Sequence, residues 1–352
     1  MQTPTMSYTL LGTSGLRVSE LCLGTMTFGT SWGYGTDYEG SRAIYQRYME
    51  AGGNFFDTAN RYTEGESEVF LGRLVREFGN RDTAVIATKY SLVTQMGRIN
   101  DGGNHKKNLV QSVEGSLRRM QIDYIDLLYV HAWDFTVSPE NLMRSLDDMV
   151  RQGKVLHVAI SDAPAWLVAR CNTIAEMRGW SPFTAFQAEY SLITRDVERD
   201  ILPLCAEDQM PLVAWGPLGG GALTGKYLKD AQTAGRVKPD SKRRNPKSTE
   251  IAQVVVNIAE QRQVPPAAVA LRWLMQGPGN ILPVVGARTA DQLSESMACI
   301  GWKLNENELQ ALQNVSAIDI GWPHDFLRSD TVYQVIDGGL QNQFSRPIPK
   351  LR

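Results

Sequence analysis

Several buried-looking apolar runs in this chain end in side chains that could do acid–base chemistry. Asp57 follows Asn54-Phe55-Phe56, Lys89 follows Ala84 to Thr88, and His131 follows Ile125 to Val130. Ser161 and Asp162 follow Val155 to Ile160, and Gln187 follows Thr184-Ala185-Phe186. Burying charge costs free energy unless it is paired, so a repeated polar ending is hard to assign to folding alone. The segment Asp57 to Tyr62 sets a phenol about one turn beyond a carboxylate. A free tyrosine has a pKa of about 10, too high for a ready acid at neutral pH. A nearby Lys89 ammonium would favour the phenolate and lower that value, while Asp57 would keep Lys89 charged and oriented. His131 could orient a substrate carbonyl or support the proton relay. No second histidine or cysteine stands near these residues at ligand spacing, so no metal is assigned.

These residues can act together only if the fold gathers them. Near-continuous apolar runs occur at 20–24, 54–57, 84–89, 125–131, 155–161, 184–187, 211–215 and 281–285, as expected of parallel strands buried on both faces. Amphipathic patterns at 41–51, 66–78, 107–120, 139–152, 164–177, 195–209, 249–262 and 289–300 fall between and after them. Ser138-Pro139 and Ala163-Pro164 place proline where helices begin. Eight strands alternating with eight helices predict an α/β fold of the (β/α)8 TIM-barrel type, with the strand C-termini meeting at one mouth. The barrel is placed at about 20–302 within one domain of 1–352. Ahead of it, Tyr8 to Leu11 and Leu16 to Val18 flank Gly12-Thr13-Ser14-Gly15 and read as a β-hairpin. Long segments at 25–40 and 216–247 follow strands one and seven and belong to the C-terminal face; a tail begins near 317.

Hydrophobic residues make up 43% of the chain and formal net charge is −2. That balance gives no reason to expect nucleic acid or an anionic membrane as partner. Cys22, Cys171, Cys205 and Cys299 form no CxxC pair and are expected to be buried thiols. There is no basic-then-apolar leader and no apolar run of membrane-spanning length. A cytoplasmic protein is therefore expected, of undetermined oligomeric state. Gly220 to Lys226 approaches a phosphate-binding loop, but Tyr227 stands where Ser or Thr would hold magnesium, and nucleotide hydrolysis is set aside.

The motif Asp57-Thr58-Ala59…Tyr62, then Gly65-Glu66-Ser67-Glu68 and Leu71-Gly72, with Leu21 to Thr25 ahead of it, resembles the aldo-keto reductase family. Trp133-Asp134, Ser161 to Trp166 and Gly321-Trp322-Pro323 look most like its aryl-alcohol dehydrogenase and long-chain reductase branch. The resemblance implies reversible NADPH-dependent reduction of an aldehyde or ketone, with Asp57, Tyr62, Lys89 and His131 as tetrad and Tyr62 as proton donor. By the same likeness, Thr25, Ser161, Asp162, Gln187 and Trp215 would meet the nicotinamide end of NADPH or NADP+. Gly216, Pro217, Leu218, Gly221 and Lys226 would lie beside the pyrophosphate. Gly286, Arg288 and Gln292 would hold the adenosine phosphate, Arg288 pairing with the 2′-phosphate. The basic segment 226–247 reads either as a solvated loop or as a flap over those phosphates. Trp32, Trp133 and Trp322 are candidates for a pocket suited to aromatic carbonyls, or ordinary packing under long loops.

Asp162, Trp215, Gly216 and Ser296 depart from the family pattern of Asn, Tyr, Ser and Asn. A carboxylate at 162 would favour a cationic oxidised ring. Two other readings stay open: a cofactor-binding regulatory subunit with little turnover, and a Schiff-base aldolase using Lys89.

Overall fold

The apolar runs fold into a closed, all-parallel eight-stranded barrel. The computed structural model describes residues 5–228, 237–238, 240–340 and 343. An antiparallel hairpin of β1 (Tyr8–Leu10) and β2 (Arg17–Ser19) comes first. The barrel strands are β3 (Cys22–Gly24), β4 (Phe55–Asp57), β5 (Val85–Tyr90), β6 (Ile125–Val130), β7 (Val155–Ser161), β8 (Phe183–Glu189), β9 (Leu212–Trp215) and β10 (Ile281–Val285). After β3 to β8, in turn, come α1 (Tyr38–Glu50), α2 (Glu66–Phe78), α3 (Lys106–Met120), α4 (Pro139–Arg151), α5 (Ala165–Arg178) and α6 (Ile201–Glu207). Two helices, α7 (Pro246–Arg262) and α8 (Pro266–Met275), separate β9 from β10. Beyond β10 lie α9 (Ala290–Met297), α10 (Glu306–Val315), α11 (His324–Leu327) and α12 (Asp330–Ile336).

The helix reading needs three corrections. Helix α8 was not expected; it is buried from Ala267 through Trp273 to Leu274, so it shows no polar face from which a helical period can be read. The pattern at 195–209 is not one helix but a 3-10 turn, Asp196–Glu198, followed by α6. Pro203 explains the restart, since proline fits only the first turn of a helix. Helix α10 was also missed, although Asn305 and Glu308 form a reciprocal capping box at its start.

Alternation along the strands creates the mouth. Cys22, Phe55, Val85, Ala87, Leu127, Tyr129, Ala159, Ala185, Val213 and Leu282 fill the barrel interior, joined by Leu11 and Val18 of the hairpin. Phe56, Ile86, Leu128, Val130, Val158, Ile160 and Phe186 point outward into the larger core under the helices. Side chains two apart share a strand face, so the next inward positions are Asp57, Lys89, His131, Ser161, Gln187 and Trp215. Neighbouring strands are in step there: Asp57 pairs with Ala87, Lys89 with Tyr129, and Ser161 with Gln187. Each fully buried large apolar side chain contributes about 1.5–3 kcal/mol, enough for the interior to hold these polar ends in place.

Of the basic segment 226–247, Lys229, Asp230 and Arg236 lie outside the described residues, as does the tail beyond Leu340 save Gln343. Among the described residues no helix is long and apolar enough to cross a membrane. All four cysteines are buried and free.

Candidate active site

Asp57 and Lys89 form the centre. Lys89 is fully buried and Asp57 is 3% exposed. The Lys89 ammonium donates to Asp57 Oδ2 at 2.6 Å, to the Thr58 carbonyl at 2.9 Å and to the Tyr62 hydroxyl oxygen at 3.0 Å. Gln187 donates from Nε2 to the other carboxylate oxygen, Oδ1, at 2.8 Å. Burial pushes Lys89 down, but Asp57 and Tyr62 together outweigh it and the ammonium is held above its ordinary pKa. Its three protons are used in three directions. An ammonium offers no acceptor, so the Tyr62 oxygen must accept from Lys89 and its own proton is left to point elsewhere.

Tyr62 stands at the start of a 3-10 turn, Tyr62–Gly65, in which Thr63 and Glu64 take left-handed backbone angles, φ 47° and 58°. Thr63 is tied down by its hydroxyl, which donates to the Phe28 carbonyl at 2.7 Å. The His131 ring meets Tyr62 edge-on, centroids 5.8 Å apart. The sequence-based expectation that Lys89 lowers the Tyr62 pKa is half right. Burial raises it and exceeds the lowering by Lys89, so the phenol is held above its ordinary value and stays protonated at neutral pH. His131 is pushed the other way, to about 3, by burial and then by the Lys89 cation. Both groups are therefore neutral hydrogen-bond donors at neutral pH.

The residues after Tyr62 support this centre. Ser67 Oγ lies 2.9 Å from Thr25 Oγ1 and 2.8 Å from Thr58 Oγ1, and donates to the Thr25 carbonyl at 2.7 Å. Thr25 was expected against the cofactor. Its side chain is fully buried, with its hydroxyl 3.0 Å from the Asp57 carbonyl, where it braces β4. Glu68, fully buried, accepts from Thr88 at 2.6 Å and pairs with Arg119 at 2.6 Å, joining α2, β5 and α3. Gly72 lets α2 approach α3: a Cβ there would sit 2.1 Å from the Met120 carbonyl oxygen. Glu66 accepts from the Thr30 amide at 2.8 Å and the Ser31 hydroxyl at 3.0 Å, fastening the loop after β3.

The other expected residues divide. Trp32 is brought to the centre, edge-on to Tyr62 at 6.4 Å and donating to Glu64 at 3.1 Å. Trp133 is half-buried beside Phe135, in a loop fixed by Asp134, which accepts from the Asn104 amide at 2.7 Å. Trp322 is 78% exposed and lies against Phe326 with the rings tilted, centroids 5.1 Å apart. Its segment is fastened to Arg199 and Asp200, and no contact joins it to the tetrad among the described residues. Gln187, expected at a nicotinamide carboxamide, is 2% exposed and serves Asp57. Among the described residues, Ser161 Oγ and His131 Nδ1 are buried without a hydrogen-bond partner, as polar atoms awaiting a ligand would be.

Trp215 ends β9 half-buried, and its indole N–H donates to Asp162 Oδ1 at 3.0 Å. After it, Gly216, Pro217 and Leu218 lead into the 3-10 segment Gly219–Thr224, with Gly221 at φ 92°. A Cβ on Gly221 would stand 2.8 Å from Lys226 Nζ. At β10 the inward position beyond Val284 is Gly286, where a Cβ would meet only the Gly24 carbonyl at 3.6 Å; the rim is bare there. Arg288 is exposed, its amide bonded to Gln292 Oε1 at 3.0 Å, just before α9, which Thr289 caps. Sequence reasoning missed the pair Glu189–Arg243, 2.7 Å apart, with Arg243 over Trp215 at 5.7 Å. The signal was available, since Glu189 continues the inward alternation of Ala185 and Gln187.

This geometry counts against the Schiff-base reading. Nucleophilic attack needs a neutral, accessible amine, whereas Lys89 is fully buried and held as an ammonium by three acceptors.

A closed barrel with Asp, Lys, Tyr and His converging at its mouth matches one family throughout. The Aldo/keto reductase family profile matches residues 20–317, and the chain belongs to that family of oxidoreductases acting on carbonyl compounds. It is 40% identical over 329 residues to norsolorinic acid reductase of Aspergillus flavus, covering 90% of this chain and 83% of that protein. It is 34% identical over 345 residues to the NADP(+) aryl-alcohol dehydrogenase of Phanerodontia chrysosporium, covering 92% and 89%. An aryl-alcohol dehydrogenase of Pestalotiopsis microspora is 36% identical over 338 residues, covering 92% and 87%.

Proposed function

We propose that this chain reduces an aldehyde or ketone to the alcohol with NADPH, reversibly, with Tyr62 as the general acid. The observation that carries the reading is the direction of one hydrogen bond. Lys89 donates into the Tyr62 oxygen at 3.0 Å, which frees the phenolic proton for a substrate oxygen. When bound, reduced nicotinamide supplies a hydride to the carbonyl carbon. As the carbonyl π bond opens, its oxygen takes the Tyr62 proton, and the Lys89 ammonium stabilises the phenolate left behind. His131, neutral, donates a hydrogen bond that orients the same oxygen.

The residues fit a nicotinamide cofactor. Ser161 Oγ is a buried hydroxyl with no hydrogen-bond partner among the described residues, available to a carboxamide. Trp215 offers a flat face at the mouth, Lys226 stands close to Gly221 where it could meet a pyrophosphate, and exposed Arg288 suits a phosphate monoester. The Phanerodontia chrysosporium relative is named for NADP(+). In this reading Asp57, Gln187 and Thr25 position the centre, and the cofactor contacts come from Ser161, Asp162, Trp215 to Leu218, Gly221, Lys226, Gly286, Arg288 and Gln292. Trp32 supplies an aromatic wall beside Tyr62, with Trp133 as the second candidate. Relatives named for norsolorinic acid and aryl alcohols support an aromatic carbonyl or alcohol as substrate.

The test is NADPH oxidation by the purified full-length protein with a panel of aromatic and aliphatic aldehydes and ketones. Carbonyl-dependent oxidation, fastest with aromatic members, is expected. NADPH binding without turnover on any member would replace the reading with that of a regulatory subunit.

A further inference from the structure

Two carboxylates at the mouth lie outside the tetrad, Glu189 and Asp162, and only Glu189 is in an ion pair among the described residues. Asp162 follows β7 with φ 45°, and its side chain is tied to the Trp215 indole at 3.0 Å. Asp162 is exposed at the mouth, yet the protein crowded around it raises its carboxyl above the usual range, against the Trp215 hydrogen bond and the Lys89 cation. Its charge acts in turn on Tyr62, so its field reaches the reacting group. The neighbouring charges have their own counter-ions. Lys89 is paired with Asp57 at 2.6 Å and Glu189 with Arg243 at 2.7 Å. Among the described residues no cation pairs with Asp162, whose carboxylate accepts from the uncharged Trp215 indole N–H.

We propose that Asp162 is a redox-setting residue: it favours the oxidised form of the nicotinamide bound against Trp215. The inference rests on the nicotinamide reading above. The oxidised ring carries a positive charge and the reduced ring none, so a nearby carboxylate stabilises only the former. Trp215 holds that carboxylate at the edge of the ring that would carry the nicotinamide. The bound reduced cofactor is then a stronger hydride donor than in water, and the oxidised cofactor leaves slowly. The protein thereby leans toward making alcohol. With screening close to the bulk-water limit, as an exposed carboxylate requires, a contacting charge pair is worth about 1 kcal/mol and the bias is about five- to tenfold. A tenfold bias corresponds to about 30 mV for a two-electron couple.

The experiment measures dissociation constants of NADP+ and NADPH, without substrate, for full-length wild type, Asp162→Asn and Asp162→Glu at pH 8. Asparagine keeps an acceptor for the indole and tolerates left-handed backbone. The ratio Kd(NADP+)/Kd(NADPH) is expected to rise about five- to tenfold in Asp162→Asn, and to stay near wild type in Asp162→Glu. An unchanged ratio in Asp162→Asn overturns the proposal, as does an equal shift in both variants. Wild type that binds neither cofactor overturns the nicotinamide reading and this inference with it. Should Asp162→Asn fail to fold by circular dichroism, Asp162→Ser is read by the same criteria.

Discussion

Replacing Lys89 by methionine tests how the centre is held. Methionine keeps the length of the side chain and removes its charge. Asp57, 3% exposed, would keep the Gln187 bond to Oδ1 but lose the 2.6 Å partner of Oδ2, and the Thr58 carbonyl would lose its donor. Removing one partner of a buried ion pair costs about 3–5 kcal/mol, because the other charge is stranded. Adding Asp57→Asn removes that charge, and the double variant should recover about 2 kcal/mol or more. Urea unfolding followed by tryptophan fluorescence is the assay. With a slope of about 3 kcal/mol/M, Lys89→Met should lower the midpoint by about 1 M or more. A loss below about 1 kcal/mol, or a double variant no more stable than Lys89→Met, would refute this account of the pair.

Two further outcomes follow from the mouth. His131 is held at about 3 by burial and then by Lys89, below the value of about 6.5 expected when unfolded. The unfolded chain therefore binds the proton first: stability is complete above pH 6.5 and is lost as pH falls toward 3. His131→Gln should accordingly lose about 1–2 kcal/mol less than wild type between pH 6.5 and pH 5; equal losses in urea titrations at the two pH values would contradict the assignment. Arg288→Ala should weaken NADPH binding by about ten- to a hundredfold and leave NADH unchanged. A parallel loss for both cofactors in binding titrations would remove Arg288 from the 2′-phosphate.

The strand pattern was legible because each barrel strand is buried on both faces, and the polar endings stood out against it. Asp57, Lys89 and His131 followed, since each continues an inward alternation, whereas Tyr62 lies in a turn beyond β4 and was reached through its motif. What pattern could not show was commitment of side chains within the site. Thr25 and Gln187 look like cofactor residues by position, and the structure adds hydrogen bonds from them to the Asp57 backbone and side chain. The balance between burial and Lys89 at Tyr62 is likewise a three-dimensional quantity. Helix α8 escaped because burial around its circumference erases the helical period, and Trp322 because exposure in a tail has no periodic signal. By contrast, the cap at Asn305 and the break before Pro203 were readable from local chemistry.

The central claim is that Tyr62 delivers the proton. The most direct measurement is single-turnover hydride transfer from NADPH to an aromatic aldehyde, comparing wild type with Tyr62→Phe at matched cofactor occupancy. The account predicts a fall of about 10²–10⁴-fold in the transfer rate with NADPH affinity unchanged. A Tyr62→Phe rate within a few-fold of wild type would show that the proton comes from elsewhere.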